Sequence, residues 1–391
     1  MNSASTNQRP IRVLHVLNTM TGKGCGIVNA AVDIISGQVR EGLTLAVCSF
    51  GGEFVQLLEE QHIPHYFIDQ RRKLKSILQA PFALRRIIKD FRPDVVHCHM
   101  MTGVVLTRLL RLTESFGLVA HLHNVHQRSS DTMRLADRVI AVSNAVLEDM
   151  VARGTSRKKL RVVHNGTLGS LRMPDVATCP SKELQQPAIV TVGGLNYRKG
   201  IAELISAFER ICERKPECHL YLVGNGPNRA EFEVQAAASP VADRIHFEGF
   251  TPNPIPYMKA ASTFVLASRR DSFGLVLTEA RECGCAIVAT AVDGIPEALD
   301  GGEAGLLVPP QNIAALADAI LSVLDSPEKR SALQARAREN LDRFRVERMA
   351  EQITEIYREV LPVERRRRPE GNSAVVVQPV RLNRSESRGQ T

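Results

Sequence analysis

ASRRDSFGLVLTEARECGCAIVATAVDGIPE, residues 267–297, is the densest signal in the chain. A strand ends at Ala267, a loop carries Asp271, and Ser272 is placed to cap a helix that begins near Phe273–Gly274. Glu279 lies well inside that helix, Gly284 closes it, and Ala286–Ala289 reads as the next strand. Unpaired N–H groups at such a helix start favour an anion, and Gly274 lets a ligand approach the backbone closely. A carboxylate such as Glu279 can accept two hydrogen bonds from a vicinal diol of the kind a ribose offers, and Asp271 can do the same for a sugar ring. On spacing alone, two acidic residues on a solvated turn fit equally well.

Working outward, the same alternation of buried strand and helix fills the chain. Ile11–Leu17 (IRVLHVL) is a strand, followed by the glycine-bearing loop 21–26 (TGKGCG) and a helical stretch to Gln38 that ends near Gly42. Strands recur at Leu43–Phe50, Val95–His99, Leu118–His123 and Arg138–Val142. A break rich in proline and polar residues spans Leu171–Pro187. Beyond it come the strands Ala188–Val192, His219–Val223, Arg244–Phe247, Thr263–Ala267 and Ala286–Ala289, with Ile201–Arg214 as a helix. Apolar strands alternating with helices predict an α/β protein of two Rossmann-like, doubly wound domains, each a parallel sheet covered on both faces. Their ligands bind at the carboxyl ends of the strands, so the cleft between the domains is the natural site. The expected divisions are a disordered leader at 1–10, an N-terminal domain at 11–175, a C-terminal domain at 185–345, a helix at 346–361 and a disordered basic tail at 364–391.

Composition bounds the rest. The 391 residues are 44% hydrophobic and 24% charged, as in an ordinary globular protein, and suit two domains better than one core. No run approaches the roughly 18–20 apolar residues that span a bilayer. The start, MNSASTNQRP, lacks the apolar core of a secretory signal, so a cytoplasmic location is expected. The eight cysteines contain no C-x-x-C pair and read as buried thiols, signalling neither zinc site nor disulfide framework. Residues 1–180 hold 23 Lys+Arg against 14 Asp+Glu, whereas 181–363 hold 20 against 25, so the two halves meet different partners.

The segment Asp271–Glu279 resembles the E-x7-E signature of the family 4 retaining glycosyltransferases, enzymes of the GT-B fold. FGLVLTEA and VDGIPE agree with that family, as do PDVVHCH at 93–99, ADRVIAVSNAV at 136–146, VVHNG at 162–166, TVGGLNYRKG at 191–200 and LVGNGP at 222–227. The resemblance covers about residues 11–361. It implies transfer of a sugar from a nucleotide diphosphate sugar to an acceptor hydroxyl with retention of configuration, in surface polysaccharide or glycolipid assembly. It also implies that the first domain takes the acceptor, that the second takes the donor, and that the last helix returns to the first domain.

Residue by residue, the resemblance gives Glu279 the nucleotide ribose. Asp271 and the N–H groups of Phe273, Gly274, Leu275 and Val276 would hold the donor sugar and phosphate. Lys199 would pair with the diphosphate, where a flexible point charge suits a leaving group gaining negative charge. His123, in HLHN, matches the family's active-site histidine. Gly26, with Gly24 beside it, fits the small residue facing the donor phosphates or acceptor. Two positions depart from the pattern. The family usually has glutamate where Asp271 stands and arginine where Gly194 stands, with Arg198 a nearby charge that can replace the latter.

Other patterns have simpler explanations. His97 and His99, like His121 and His123, alternate on strands and share a face, which raises a metal-dependent hydrolase. No carboxylate pattern completes a metal shell, and strand-end packing or cleft lining is the simpler account of His97, His99 and His121. Neither G-x-G-x-G nor GNGPNR contains a full G-x-G-x-x-G, so a nicotinamide enzyme is not indicated. The absence of any D-x-D fits metal-independent chemistry, with no cofactor beyond the donor. The stretch 71–92, with Arg71, Arg72, Lys73, Lys75, Arg85 and Arg86, is basic and partly amphipathic. It is either a solvated helix face or a surface for anionic lipid under a lipid-linked or saccharide acceptor, which would make the protein peripheral to the membrane. No nucleic-acid partner is expected. The rival readings are a nucleotide-sugar epimerase of the same fold and a non-catalytic nucleotide-sugar-binding protein.

Overall fold

A computed structural model describes residues 9–361 apart from 23, 72–73 and 125–127. Most of the expected leader, the tail from 364, and Arg72 and Lys73 lie outside the described residues, as does the side chain of Lys75. Seven strands form the first sheet: β1 (Arg12–Val16), β2 (Thr44–Ser49), β3 (His65–Phe67), β4 (Val95–Cys98), β5 (Gly117–Leu122), β6 (Arg138–Ala141) and β7 (Leu160–Val162). Six form the second: β8 (Ala188–Val192), β9 (His219–Val223), β10 (Ile245–Gly249), β11 (Thr263–Leu266), β12 (Ile287–Thr290) and β13 (Leu306–Val308). The orders are β3-β2-β1-β4-β5-β6-β7 and β10-β9-β8-β11-β12-β13. Every pairing between these strands is parallel.

The strands are apolar on both faces because helices cover both, as in β4, where all four residues are buried. One face of the first sheet packs Leu14, Val16, Val96 and Leu118 against Leu84 and Ile88 of the helix Leu74–Phe91. The other packs Val13, Val47, Val95 and Ile140 against the helix Gly26–Arg40 and the last helix, Val346–Val360.

That last helix crosses back to the first sheet after the second is complete. A Cβ on Gly37 would lie 2.2 Å from the Val346 carbonyl oxygen, so the two backbones touch at this crossing. Tyr357, fully buried, puts its hydroxyl 2.8 Å from Gln38 Nε2 and 2.6 Å from His97 Nδ1. The C-terminal helix is thereby fastened to the first sheet by packing and by a polar contact.

Strand order reverses between β1 and β4 in the first sheet and between β8 and β11 in the second. At such reversals the connections leave the strands' carboxyl ends in opposite directions and open a crevice. The loops following β1, β8 and β11 therefore converge on the space between the sheets.

Candidate functional site

These loops line a cleft of about 700 Å³. All twelve site residues expected from the sequence border it: Gly24, Gly26 and His123 from the first sheet's side, and Gly194, Arg198, Lys199, Asp271, Phe273, Gly274, Leu275, Val276 and Glu279 from the second. They come from segments more than 250 positions apart, so the topology alone brings them together.

Asp271 stands in the loop after β11, and Lys199 in the turn after β8. Lys199 Nζ donates to Asp271 Oδ2 across 2.6 Å, with both side chains largely withdrawn from solvent. Burial by itself raises the Asp271 carboxyl, but Lys199 beside it outweighs that effect and holds it below the ordinary carboxylate range. Asp293 steadies the loop by accepting from the Asp271 amide at 2.8 Å and from the Arg270 guanidinium. Arg198 reaches over the same loop to the Arg270 carbonyl.

The helix after this loop runs Leu275–Glu282. Its cap differs from the sequence expectation. Ser272 makes no capping bond and its hydroxyl is buried without a partner, whereas Asp271 Oδ1 accepts from the Gly274 amide at 3.0 Å. Gly274 itself sits at φ 76°, a conformation that side chains disfavour, and this turn aims the helix's first residues at the cleft. The positive end of that helix and the Lys199 ammonium thus approach one spot, which is what an anionic group requires.

Glu279 is held from the side by a residue the sequence reading passed over. Arg172 donates Nη2 to Glu279 Oε1 at 2.7 Å, and it grips Asp33 through Nε at 2.7 Å and Nη2 at 3.1 Å. Burial pushes the Asp33 carboxyl up to about 6, with Arg172 opposing the rise. Arg172 falls within the stretch read as a linker, and no spacing pattern marks it. Asn165, Phe250 and Thr251 also border the cleft without having been singled out.

Further contacts tie the two sheets' loops behind the cleft. Glu297 of VDGIPE accepts from the Asn144 amide at 2.9 Å and the Ala145 amide at 3.1 Å, and pairs with His164 at 2.8 Å. Ser143 Oγ donates to the Ser272 carbonyl at 2.7 Å. The SNAV and VDGIPE motifs are therefore docking elements for each other.

The histidines of the first sheet meet in one stack. His15, His97, His99 and His121 are buried, and His123 lies half-buried at the cleft wall. Nitrogens of His15, His97 and His99, and of His99, His121 and His123, come within 4.8 Å of one another, close enough to raise a metal site. The ring planes argue against it. His121 and His123 stack at 4.3 Å and 2°, and His99 lies within 15° of both. Ring lone pairs lie in the ring plane, so those of the face-to-face pair His121 and His123 run side by side rather than onto one ion, while the nitrogens of His15, His99 and His123 that approach at 3.0–3.1 Å face one another as hydrogen-bond partners.

Two sequence models cover most of the chain, Glycosyltransferase Family 4 over residues 25–167 and Glycosyl transferases group 1 over 180–340. The chain belongs to glycosyltransferase family 4. Among its relatives, the glycogen synthase of Mycobacterium tuberculosis is 28% identical over 285 residues, 67% of this chain and 67% of that one. The alpha-D-kanosaminyltransferase of Streptomyces kanamyceticus is 29% identical over 294 residues, 72% of this chain and 73% of that one. Among solved structures, Anabaena HepE in complex with UDP and glucose aligns with a TM-score of 0.75 at 23% identity, covering 88% of this chain and 99% of its own. The family 4 glycosyltransferase described here thus has the GT-B fold, two parallel-sheet domains facing a common cleft.

The basic stretch lies on the surface with part of its charge paired. Arg71 is paired with Asp69 and Arg85 with Glu114, so neighbouring carboxylates offset part of the charge, while Arg86 is exposed. Leu78 and Phe82 of the same helix are 62% and 78% exposed. Among the described residues, no helix is long and apolar enough to cross a membrane.

Proposed function

We propose that this glycosyltransferase moves a sugar from a nucleotide diphosphate sugar to an acceptor hydroxyl with retention of configuration. The observation that carries the reading is the convergence on one cleft of the Lys199–Asp271 pair, the start of the helix Leu275–Glu282, and the Arg172-held carboxylate of Glu279. Glu279 takes the ribose diol through its oxygen not bonded to Arg172. The helix start and Lys199 take the diphosphate, whose leaving oxygen gains charge as the bond to the sugar carbon breaks. Asp271 orients the sugar, and His123 lies on the opposite wall beside it. The acceptor oxygen forms its bond to the same sugar carbon on the face the diphosphate leaves, and its proton passes to a diphosphate oxygen. No covalent sugar–protein intermediate is needed, and the ammonium and helix amides carry the charge a divalent ion would otherwise neutralise.

The donor class is supported by the relative crystallised with UDP and glucose. Relatives named for glycogen and for kanosaminyl transfer differ in acceptor, so the acceptor is proposed as a class: a saccharide or lipid-linked hydroxyl in surface polysaccharide or glycolipid assembly. A lipid-linked acceptor accords with the exposed Leu78 and Phe82 beside Arg86, an apolar face with flanking cations suited to an anionic bilayer. Co-sedimentation with vesicles checks that surface, and binding that ignores anionic lipid content overturns it.

A panel of nucleotides and nucleotide sugars, read by thermal stabilisation of wild type and Glu279→Ala, tests the donor site. A ligand at 100 times its dissociation constant stabilises by about 2.7 kcal/mol. Selective stabilisation lost in the variant is expected. Unchanged turnover in a chelator and an unchanged anomeric configuration in the product are expected with the matching acceptor. Product formed without acceptor would identify an epimerase, and tight binding without turnover a binding protein.

A further inference from the structure

The histidine stack contains a continuous chain of hydrogen bonds that ends at the cleft. Gln38 Oε1 lies 2.8 Å from His15 Nε2, His15 Nδ1 lies 3.0 Å from His99 Nε2, and His99 Nδ1 lies 3.1 Å from His123 Nε2. At the far end, Gln38 Nε2 donates to the Tyr357 hydroxyl at 2.8 Å. His15 and His99 are buried, and each uses both ring nitrogens within this chain.

A neutral imidazole has one N–H and one bare nitrogen, so each link dictates the next. An amide oxygen only accepts, which puts the His15 proton on Nε2 and leaves its Nδ1 bare. His99 must then donate from Nε2 and accept at Nδ1. His123 must in turn donate from Nε2, which leaves its own Nδ1 without a proton. That Nδ1 has no hydrogen-bond partner in the protein and is buried at the cleft wall, so a substrate hydroxyl meets it only once that wall shifts. Burial keeps the chain neutral, lowering His15 to about 4 and His123 to about 3. The amide cannot take up a proton as a carboxylate would, so the chain sets a tautomer and does not drain protons from the site.

We infer that Gln38, His15 and His99 form a positioning chain that fixes His123 as the Nε2–H tautomer, leaving Nδ1 as an acceptor that a substrate hydroxyl must fill. The inference rests on the reading that His123 faces the transferred sugar. It adds that His123 accepts a hydrogen bond and does not donate one. A ligand offering only an acceptor at this point, such as a methoxy group or a carboxylate in place of a hydroxyl, leaves two lone pairs opposed and is rejected. His15 and His99 touch no substrate and act through His123 alone. Because one amide anchors the chain, turning Gln38 over would move every proton to the other nitrogen of its ring. The polarity is therefore a single measurable property.

The test is nitrogen NMR of the full chain labelled with 15N-histidine, with the His123 signals assigned by their loss in His123→Gln. The expected wild-type spectrum shows His123 with a protonated Nε2 and a bare Nδ1. In His15→Leu the anchor is cut, and His123 is expected to become a mixture of tautomers. In His15→Asn the side-chain oxygen can accept from His99 in place of His15 Nδ1, so the wild-type tautomer is expected to return. His123 protonated on Nδ1 in the wild type would overturn the inference, as would a His15→Leu spectrum unchanged from wild type in a folded protein. Stoichiometric transition metal in the purified protein, released as His99 and His123 signals shift, would overturn it in favour of a metal centre. The readout needs no substrate. A protein with the expected tautomer that binds no nucleotide sugar would overturn the donor reading and leave the chain standing.

Discussion

Lys199 Nζ lies 2.6 Å from Asp271 Oδ2 in a cleft that also receives the first turn of the helix Leu275–Glu282. Each charge is compensated mainly by the other, and Asp271 additionally accepts from the Gly274 amide in the turn that leads into the helix. Removing one partner strands the other in a poorly solvated place, which costs about 2–4 kcal/mol for pairs this buried. Lys199→Met and Asp271→Asn are each expected to lower stability by that order. The double variant is expected to lose less than the sum, with a coupling of about 1–3 kcal/mol. Denaturant melts of the four proteins check this. Lys199→Met is also expected to cut kcat by about 10²–10³, as for loss of one preorganised donor to developing charge.

Arg172 carries a second prediction. It is the shared partner of Asp33, whose side chain is fully buried, and of Glu279, so Arg172→Met leaves two carboxylates facing an emptied site. The expected cost is about 3–5 kcal/mol, together with loss of nucleotide-dependent stabilisation as Glu279 loses its orientation. Asp33→Asn added to Arg172→Met is expected to recover part of the stability, because it removes the most buried charge, but not the nucleotide response. Recovery of both would show that Arg172 supports the fold and does not position Glu279.

The histidine stack predicts an acid-labile fold. His15 is lowered to about 4 and His123 to about 3, and His97, His99 and His121 are lowered as well, burial being the largest cause throughout. These rings are neutral in the fold, while the unfolded chain takes up protons from about pH 6.5 downward. The stability they contribute is therefore fully present above pH 6.5. It is lost as pH falls from there towards the folded values. Each such histidine adds a slope of about 1.4 kcal/mol per pH unit inside that window. Urea midpoints are expected to fall steeply between pH 7 and 5, and His15→Asn is expected to reduce the slope by about one proton. A flat profile from pH 7 to 5 would mean the stack takes up protons in the fold as readily as in the unfolded chain.

How far these features were legible in the sequence follows from their physics. The long strands, such as Arg12–Val16 and Ala188–Val192, are covered on both faces and announce themselves as apolar runs. The strands that were missed are His65–Phe67, Leu160–Val162 and Leu306–Val308, three residues each and all at sheet edges, where pairing with one neighbour sustains little pattern. The cleft residues were legible because loops after parallel strands carry compact motifs. Arg172 was not, because its partners, at positions 33 and 279, are set by the docking of two domains. His15 carries a signal in the sequence, a polar residue inside the apolar run from Val13 to Leu17. Its partner Gln38 lay at the predicted end of a helix and showed nothing of its role. Ser272 does not cap because the left-handed turn at Gly274 delays the helix to Leu275, which makes Gly274 and not Ser272 the residue before it.

Gly37 offers a prediction in which two effects of opposite sign compete. Glycine inside an α-helix costs about 1 kcal/mol relative to alanine, so Gly37→Ala in the helix Gly26–Arg40 would ordinarily stabilise. Here the new methyl carbon would sit 2.2 Å from the Val346 carbonyl oxygen and 2.7 Å from Ala350 Cβ. Neither group can yield by changing rotamer, so the helix Val346–Val360 has to move as a body. Overpacking against backbone costs about 1–3 kcal/mol, and displacement of this helix also strains the Tyr357 contacts with Gln38 and His97. The clash is expected to win, giving a net loss of about 1–2 kcal/mol and faster hydrogen exchange across residues 346–360. A variant more stable than wild type would show that the last helix slides on the first domain without loss, and that its polar contacts to the histidine stack do not hold it in place.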